Sequence, residues 1–342
     1  MNKEILYEDI KTLDDPILID LRSPSEHRSH KIIGSVNMPI LNDEERKIVG
    51  TLYDSGEILE SKKRAVAFAS GKLPKLFDFI ADQSAKRDVV LYCSRGGYRS
   101  TALFYFLNSM SIETFKLKGG YKSYRKYVMR KLDEYAERST FVDLNGYTGV
   151  GKTKILSELK ALGANVLDLE GLARHRGSLL GNLERRAQPS QKDFEAMIVE
   201  AFESFRGDVV FVESESHKIG DLFVPKVLHD AYYKKGIQVL ITLPVEERVK
   251  NIRDEYVDYD EAFRASLTAS LDELGRFIGK KRVRKYREYI DAGDYDEIIE
   301  DLIENYYDIS YKTRKSGFKG TIENTSPEAS AKKLFDAFVA ER

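Results

Sequence analysis

The chain has 342 residues, enough for two domains, and 42% of them are hydrophobic, which supports packed cores and argues against disorder. Its 55 Lys and Arg balance 56 Asp and Glu, excluding a globally basic nucleic-acid binder while leaving room for a local basic face. No apolar run approaches the roughly 18 residues of a membrane span, no signal-peptide core opens the chain, and one cysteine excludes an internal disulfide framework or cysteine-rich metal site, so a cytoplasmic protein off the membrane is expected.

In chain order, PILIDLR (16–22) reads as a strand, and IIGSVNMPI (32–40) as a short apolar segment broken by Gly34 and Pro39. From Asn42 to Gln83 the text turns helical, with apolar residues three and four apart in EERKIVGTLY and LPKLFDFIADQ. DVVLYC (88–93) is a continuous apolar run of the kind buried on both faces of a parallel sheet. The loop SRGGYRS, a helix TALFYFLNSM, a short strand at TFKL and a basic helix YKSYRKYVMRKLDEYAE follow. Strands alternating with helices imply a parallel α/β domain over residues 1–135, with a boundary near Glu134–Arg138. A second α/β unit occupies 139–342. STFVDLN is a strand, GYTGVGKT a glycine-rich turn and KILSELKALG a helix stopped by glycine. NVLDLE, DVVFVES and IQVLITL read as further strands, 246–311 as mainly helical, and about 318–341 as a late strand, FKGTIE, returning to the sheet before a final helix capped by Ser326 and Pro327.

Cys93 ends a buried strand and opens CSRGGYRS. Gly96 and Gly97 let backbone N–H groups turn inward, the following helix adds its positive end, and Arg95 and Arg99 add charge, all of which favours an accessible thiolate or a bound anion. A lone cysteine is more often a small buried hydrophobe, but such a plug needs neither two glycines nor two arginines beside it. The strand–Cys–loop–helix pattern resembles the active-site loop of the rhodanese family, in which the cysteine carries a persulfide. DLRSPSEHRSHKIIGSVNMP, with Asp20, Arg22, Glu26, His30, Ile32, Gly34, Asn37 and Pro39, resembles that family's second hallmark. The resemblance makes His27 and His30 structural or loop residues in place of metal ligands.

Gly146-Tyr147-Thr148-Gly149-Val150-Gly151-Lys152-Thr153 fits G-x-x-x-x-G-K-[ST] in full, after a strand and before a helix. Backbone N–H groups there cradle phosphate, Lys152 neutralises it, and the Thr153 hydroxyl suits Mg²⁺. The fold expected is therefore α/β: an N-terminal rhodanese-like parallel sheet with flanking helices, then a P-loop NTPase-like α/β domain with a helical C-terminal region. Glu213, ending the third strand, is placed to order Mg²⁺ or a water, although a carboxylate pair with Glu215 also reads as a solvated turn. DLEGLARHRGSLLG gathers Arg174, His175, Arg176 and Ser178 around glycines as an anion-binding loop. Lys280, Lys281, Arg282, Arg284, Lys285 and Arg287, interleaved with Tyr286 and Tyr289, read equally as an RNA-gripping stretch and as a solvated helix face balanced by the acidic run 294–301. The helix YKSYRKYVMRK is a second basic candidate.

Taken together, CSRGGYRS, GYTGVGKT, DLEGLARHRGS, QPSQKDFE and VESESHKIG resemble successive signatures of the bacterial tRNA 2-selenouridine synthase family over nearly the whole chain, more weakly after residue 246. Ser94 departs from it, standing where a bulky aromatic such as Trp is expected. The resemblance implies replacement of sulfur by selenium in wobble 2-thiouridine of tRNA, with selenophosphate as donor and an S-geranyl intermediate made from geranyl diphosphate. A selenophosphate-supplying enzyme is an implied partner. The P-loop would hold the pyrophosphate, while Arg95, Arg99 and the loop amides bind selenophosphate and Cys93 acts as nucleophile or as perselenide carrier. Two rival readings are a generic rhodanese sulfurtransferase fused to an ATP-dependent P-loop kinase, and an RNA-binding module with a vestigial rhodanese.

Overall fold

A computed structural model describes residues 3–175, 187–214, 216–256, 264–265, 267–269, 271, 275, 278–310 and 316–340. The chain divides into two compact units, one of Met1–Lys131 with Ser190–Met197, the other of Leu132–Pro189 with Ile198–Arg342.

The first unit is built on a five-stranded parallel sheet. Its strands are β1 (Glu4–Ile5), β2 (Ile17–Asp20), β3 (Val36–Asn37), β4 (Val89–Tyr92) and β5 (Phe115–Leu117), in the order β1-β5-β4-β2-β3. β4 is central, and all four of its residues are fully buried, as a parallel strand covered on both faces requires. Six helices surround the sheet: α1 (Pro24–Ser29), α2 (Asp43–Asp54), α3 (Ile58–Ser70), α4 (Leu73–Ser84), α5 (Tyr98–Ser109) and α6 (Gly120–Arg138). α1 and α2 start at capping boxes, Ser23 with Glu26 and Asn42 with Glu45. Leu76, Ile80, Leu103 and Leu107 close the core over Ile19, Val89 and Leu91. From β2 the chain passes to β3 on one side and to β4 on the other, so a crevice opens at the carboxyl ends of β2 and β4, the position where such sheets bind ligands. The segment Glu134–Arg138 lies in the last turns of an unbroken α6.

The main sheet of the second unit is also parallel. β6 (Thr140–Asn145), β7 (Asn165–Leu167), β8 (Val209–Glu213), β11 (Ile237–Thr242) and β12 (Gly320–Glu323) run in the order β12-β11-β6-β8-β7. A hairpin of β9 (Lys218–Ile219) and β10 (Leu222–Phe223) stands apart. The helices are α7 (Lys152–Ala161), α8 (Leu169–Ala173), α9 (Gln191–Glu203), α10 (Lys226–His229), α11 (Val245–Tyr256), α12 (Lys280–Ala292), α13 (Tyr295–Leu302) and α14 (Pro327–Phe335), with α9 shared between the two units. FKGTIE supplies β12, which returns in register beside β11, and the Ser326 side chain accepts from Ala329 N to cap α14. The chain leaves β6 for the edge strand β7, comes back to β8, then crosses to β11 on the other side of β6. The switch point thus falls at the carboxyl end of β6. The helical region has a separate core in which Tyr286, Ile290, Ile298 and Leu302 pack together.

Candidate functional site

In the first unit, the backbone turns sharply from β4 into α5 through Cys93–Gly97. Gly96 has a φ of +64°, and a Cβ there would stand 3.0 Å from Gly119 N. Gly120, at φ +59°, is tighter still: a Cβ would lie 2.2 Å from the Cys93 carbonyl oxygen. Glycine is thus required on both sides of the contact, and Tyr121 N and Lys122 N then donate to Cys93 O and Ser94 O at 2.9 Å each. The start of α6 clamps the cysteine loop. Sequence reasoning assigned no role to Gly119 and Gly120, although the paired glycines before a helix were a visible signal.

Cys93 is only 3% exposed, more covered than the accessible thiol expected. Its Sγ lies 3.2 Å from Ser100 Oγ, and it lines the wall of a 600 Å³ cavity together with Arg95 and Gly97. Arg95 is exposed on that wall. Arg99 also lines the cavity, where its guanidinium donates to both oxygens of Glu26 at 2.6 and 3.2 Å, and to Ser94 Oγ at 3.0 Å. Ser94 Oγ in turn donates to Glu26 at 2.8 Å. Burial by itself would raise the Glu26 carboxyl, but the hydrogen bond and charge of Arg99 outweigh it and hold that carboxyl at about 2. Serine at 94 therefore completes a Glu26–Arg99 network at the loop rim, its hydroxyl both donating to Glu26 and accepting from Arg99.

Behind the loop, Asp20 and Arg22 form a buried pair, with Arg22 Nη2 donating to Asp20 Oδ2 at 2.6 Å and to His30 O at 2.8 Å. The Arg22 guanidinium also lies 4.5 Å from the centre of the Tyr121 ring. His27 Nδ1 is 3.0 Å from Asp20 Oδ2, and His30 Nδ1 is 2.9 Å from Ser29 Oγ. Both histidines are built into the framework around Asp20 and Arg22. Among the described residues no cluster of three His, Cys, Asp or Glu side chains could hold a metal ion.

In the second unit, Gly146, Gly149 and Gly151 all take positive φ, at 154°, 85° and 88°. Each is hemmed in: a Cβ would meet Ile241 O at 2.5 Å, Arg248 O at 2.9 Å and Asn324 Nδ2 at 2.7 Å respectively. Lys152, 6% exposed, donates to Gly146 O at 2.9 Å and lies 3.3 Å from Glu213 Oε1. Thr153 Oγ1 donates to Glu213 Oε2 at 3.3 Å. Glu213, Lys152 and Thr153 therefore meet at the switch point. The outer side of the loop is pinned by residues that sequence reasoning missed. Arg248 Nε donates to Thr148 O at 2.8 Å while its guanidinium forks onto Asp308 at 2.7 and 2.9 Å; Asn251 Nδ2 donates to Gly149 O at 3.0 Å, and Asn324 Nδ2 to Val150 O at 2.7 Å. No local motif announces these braces, because each arises from a segment 100 or more residues downstream.

Of the anion-binding stretch after β7, Leu169–Ala173 is a short helix capped by Asp168, whose Oδ1 accepts from Gly171 N at 2.8 Å. Arg174 follows in the left-handed region at φ 51°, and His175 comes next; Arg176 and Ser178 lie outside the described residues, as does Glu215. The basic run 280–287 is helix α12, and of its two interleaved aromatic residues Tyr286 is withdrawn from the surface. Tyr286 is 1% exposed in the helical core and hydrogen-bonds Asp301, Arg282 Nε lies 3.2 Å from Asp301, and Lys285 Nζ sits 5.0 Å from the centre of the Tyr289 ring. That pattern matches the balanced helix face weighed for this segment.

Comparison with known proteins accounts for both halves. The family model described as the tRNA 2-selenouridine synthase AAA domain matches residues 139–338, and the rhodanese-like domain matches 3–127. The tRNA 2-selenouridine synthase of Hydrogenovibrio crunogenus is 33% identical over 322 residues, covering 86% of this chain and 88% of its own. Those of Sulfurovum sp. and Marinobacter nauticus are each 31% identical, covering 87% and 89% of this chain and 88% and 90% of theirs. Among the described residues no helix is long and apolar enough to cross a membrane.

Proposed function

The chain belongs to the tRNA 2-selenouridine synthase family, and from that membership we propose how its two sites divide the formation of 2-selenouridine in tRNA. The observation that supports the division is that each unit holds a constellation of its own: Cys93 with its glycine-clamped loop in the first, and the Gly146–Thr153 cradle with Glu213 in the second.

The P-loop unit binds geranyl diphosphate. Backbone N–H groups at the start of α7 face the pyrophosphate, and Lys152 leaves the Gly146 carbonyl and Glu213 to neutralise it. Sulfur of 2-thiouridine then bonds to C1 of the geranyl group as the C–O bond breaks, pyrophosphate departs, and the N3 proton of the base is released to solvent. The Thr153 hydroxyl and the Glu213 carboxylate are hard oxygen donors 3.3 Å apart and suit Mg²⁺. When bound, such an ion supplies charge neutralisation of the leaving diphosphate.

The first unit carries out the selenium step. Alkylated sulfur leaves as a thiol far more readily than a thiocarbonyl sulfur does. Selenium of selenophosphate attacks C2, forming C–Se as C–S breaks with its electron pair on sulfur; sulfur takes a proton and departs as geranylthiol, and water cleaves Se–P to give phosphate. Arg95 and the loop amides are the anion-binding groups of this reading, and Arg99 holds the loop through Glu26. Cys93, on the wall of that site, serves as nucleophile: its thiolate displaces geranylthiol at C2 and selenium then displaces the thiolate, so the net bonds formed and broken are those just given. Arg174 and His175, with Arg176 and Ser178, are assigned to phosphate contacts of the second unit. A tRNA substrate supports assigning the activity to the cytoplasm, with a selenophosphate-supplying enzyme as its partner in this reading.

The test is mass analysis of tRNA nucleosides after incubating the protein with 2-thiouridine tRNA, geranyl diphosphate and Mg²⁺, then adding selenophosphate. A geranyl mass gain followed by exchange for selenium is expected. An unchanged nucleoside with ATP consumed instead would return the chain to the sulfurtransferase–kinase reading.

A further inference from the structure

The cavity on which Cys93 opens has an unusual wall. Helix α2 carries Ile48, Val49, Leu52 and Tyr53, yet none of its residues is buried, and in α3 Ser61 is the one buried side chain. Two amphipathic helices of 12 and 13 residues ordinarily bury an apolar stripe each. Here the stripes are left over. Val49, Tyr53 and Ala65 from this hairpin, with Leu41 and Tyr98, form an apolar lining that faces the cysteine loop across 600 Å³, within the range of small-molecule sites. The rim is cationic, with Lys62 Nζ 5.0 Å from the centre of the Tyr98 ring, and with Arg46 and Arg95 beside it. An apolar wall, a nucleophilic sulfur at one end and a cationic rim describe a site for a long hydrocarbon attached, at its reacting end, to an anionic molecule.

We propose that the cavity between the α2–α3 hairpin and the Cys93 loop binds the ten-carbon chain of S-geranyl-2-thiouridine during the selenium step, an inference that rests on the reaction sequence given above. The chain lies against Val49, Tyr53 and Ala65 while the nucleoside and its phosphates meet the cationic rim, so the C–S bond to be broken is presented beside Cys93. Selenium of selenophosphate forms the new bond to C2, the C–S electron pair goes to sulfur, and the protonated geranylthiol is left in the cavity. Prenyl recognition is thereby a property of the leaving-group site as well as of the diphosphate site. Tyr53, half exposed on α2, gains an apolar partner when that chain is present.

The experiment compares tRNA bearing S-geranyl-2-thiouridine with tRNA bearing S-dimethylallyl-2-thiouridine, each supplied ready-made to the full-length protein with selenophosphate. Both leave as allylic thiols, so the chemistry of departure is matched and the difference reads one isoprene unit. The expected kcat/KM ratio favours geranyl by about tenfold or more. In Val49→Asp, which makes the wall polar, and Ala65→Phe, which fills the cavity, the ratio should fall towards one. A ratio near one in the unaltered protein, or an undiminished ratio in both variants, would overturn the cavity assignment while leaving the selenium step standing. Failure to incorporate selenium into either tRNA would overturn the reaction sequence and the assignment with it.

Discussion

Lys152 Nζ already has two partners, Gly146 O at 2.9 Å and Glu213 at 3.3 Å, so a bound diphosphate takes over an ammonium that is desolvated and aimed. Its removal costs transition-state stabilisation directly: Lys152→Ala should lower geranyl transfer by about 10²- to 10³-fold, read as S-geranyl nucleoside formed per minute. Cys93→Ala should geranylate normally and fail to introduce selenium; selenouridine accumulating at the unaltered rate would refute a covalent role for the thiol. Arg99 and Glu26 act on stability. Removing the guanidinium in Arg99→Ala leaves a half-buried carboxylate short of its main donor, a loss of about 1–3 kcal/mol by urea denaturation. The Glu26 carboxyl is depressed in the folded protein, so its contribution is fully present above pH 4.5 and is lost as the pH falls towards about 2. Glu26→Gln should therefore give a flatter acid-stability profile across that interval than the unaltered protein.

At the scale of elements, the contact between the loop after β4 and the start of α6 is the tightest in the first unit. Gly120→Ala places a methyl group 2.2 Å from Cys93 O in a left-handed backbone, and the loop must open to admit it. Selenium incorporation should fall at least about tenfold while geranyl transfer persists, since this contact lies wholly within the first unit. What could be read in advance was local. Apolar runs bounded by turn residues located β2, β4, β6, β8, β11 and β12, and the phosphate loop announced itself because its glycines, lysine and threonine are contiguous. The two-residue strand β1 exists through pairing alone and carries too little periodicity to be seen, whereas β3 falls within the apolar segment 32–40. Tyr286 looked like an interleaved aromatic in a basic run, but helical spacing with Val283 and Ile290 turns it into the core. Arg99 was legible as a charge beside the thiol, yet its partner Glu26 stands 73 residues earlier. Fold class follows from patterns along the chain, whereas the partners of a charged side chain depend on which distant segments the topology brings to it.

At the scale of the molecule, every contact described around Cys93 is made by the first unit, and every contact described around the phosphate loop by the second. Under the proposed division of the reaction, a mixture of Cys93→Ala and Lys152→Ala proteins should restore selenouridine that neither makes alone. Geranylated tRNA would pass from one variant to the other, and an unrestored mixture would mean that the intermediate never leaves the chain on which it forms.

The brace from Asn324 to Val150 O has a consequence for how this protein comes off the ribosome. The phosphate loop is translated at residues 146–153, but the asparagine that holds its outer carbonyl and the strand β12 that pairs with β11 emerge more than 150 residues later. The contacts described around the Cys93 loop draw on residues no later than Lys122. A nascent chain thus finishes its thiol site well before its phosphate site, and a polypeptide cut short ahead of β12 would keep the first and lack the second. Full-length synthesis is thus a condition for a braced phosphate loop and not for the cysteine loop.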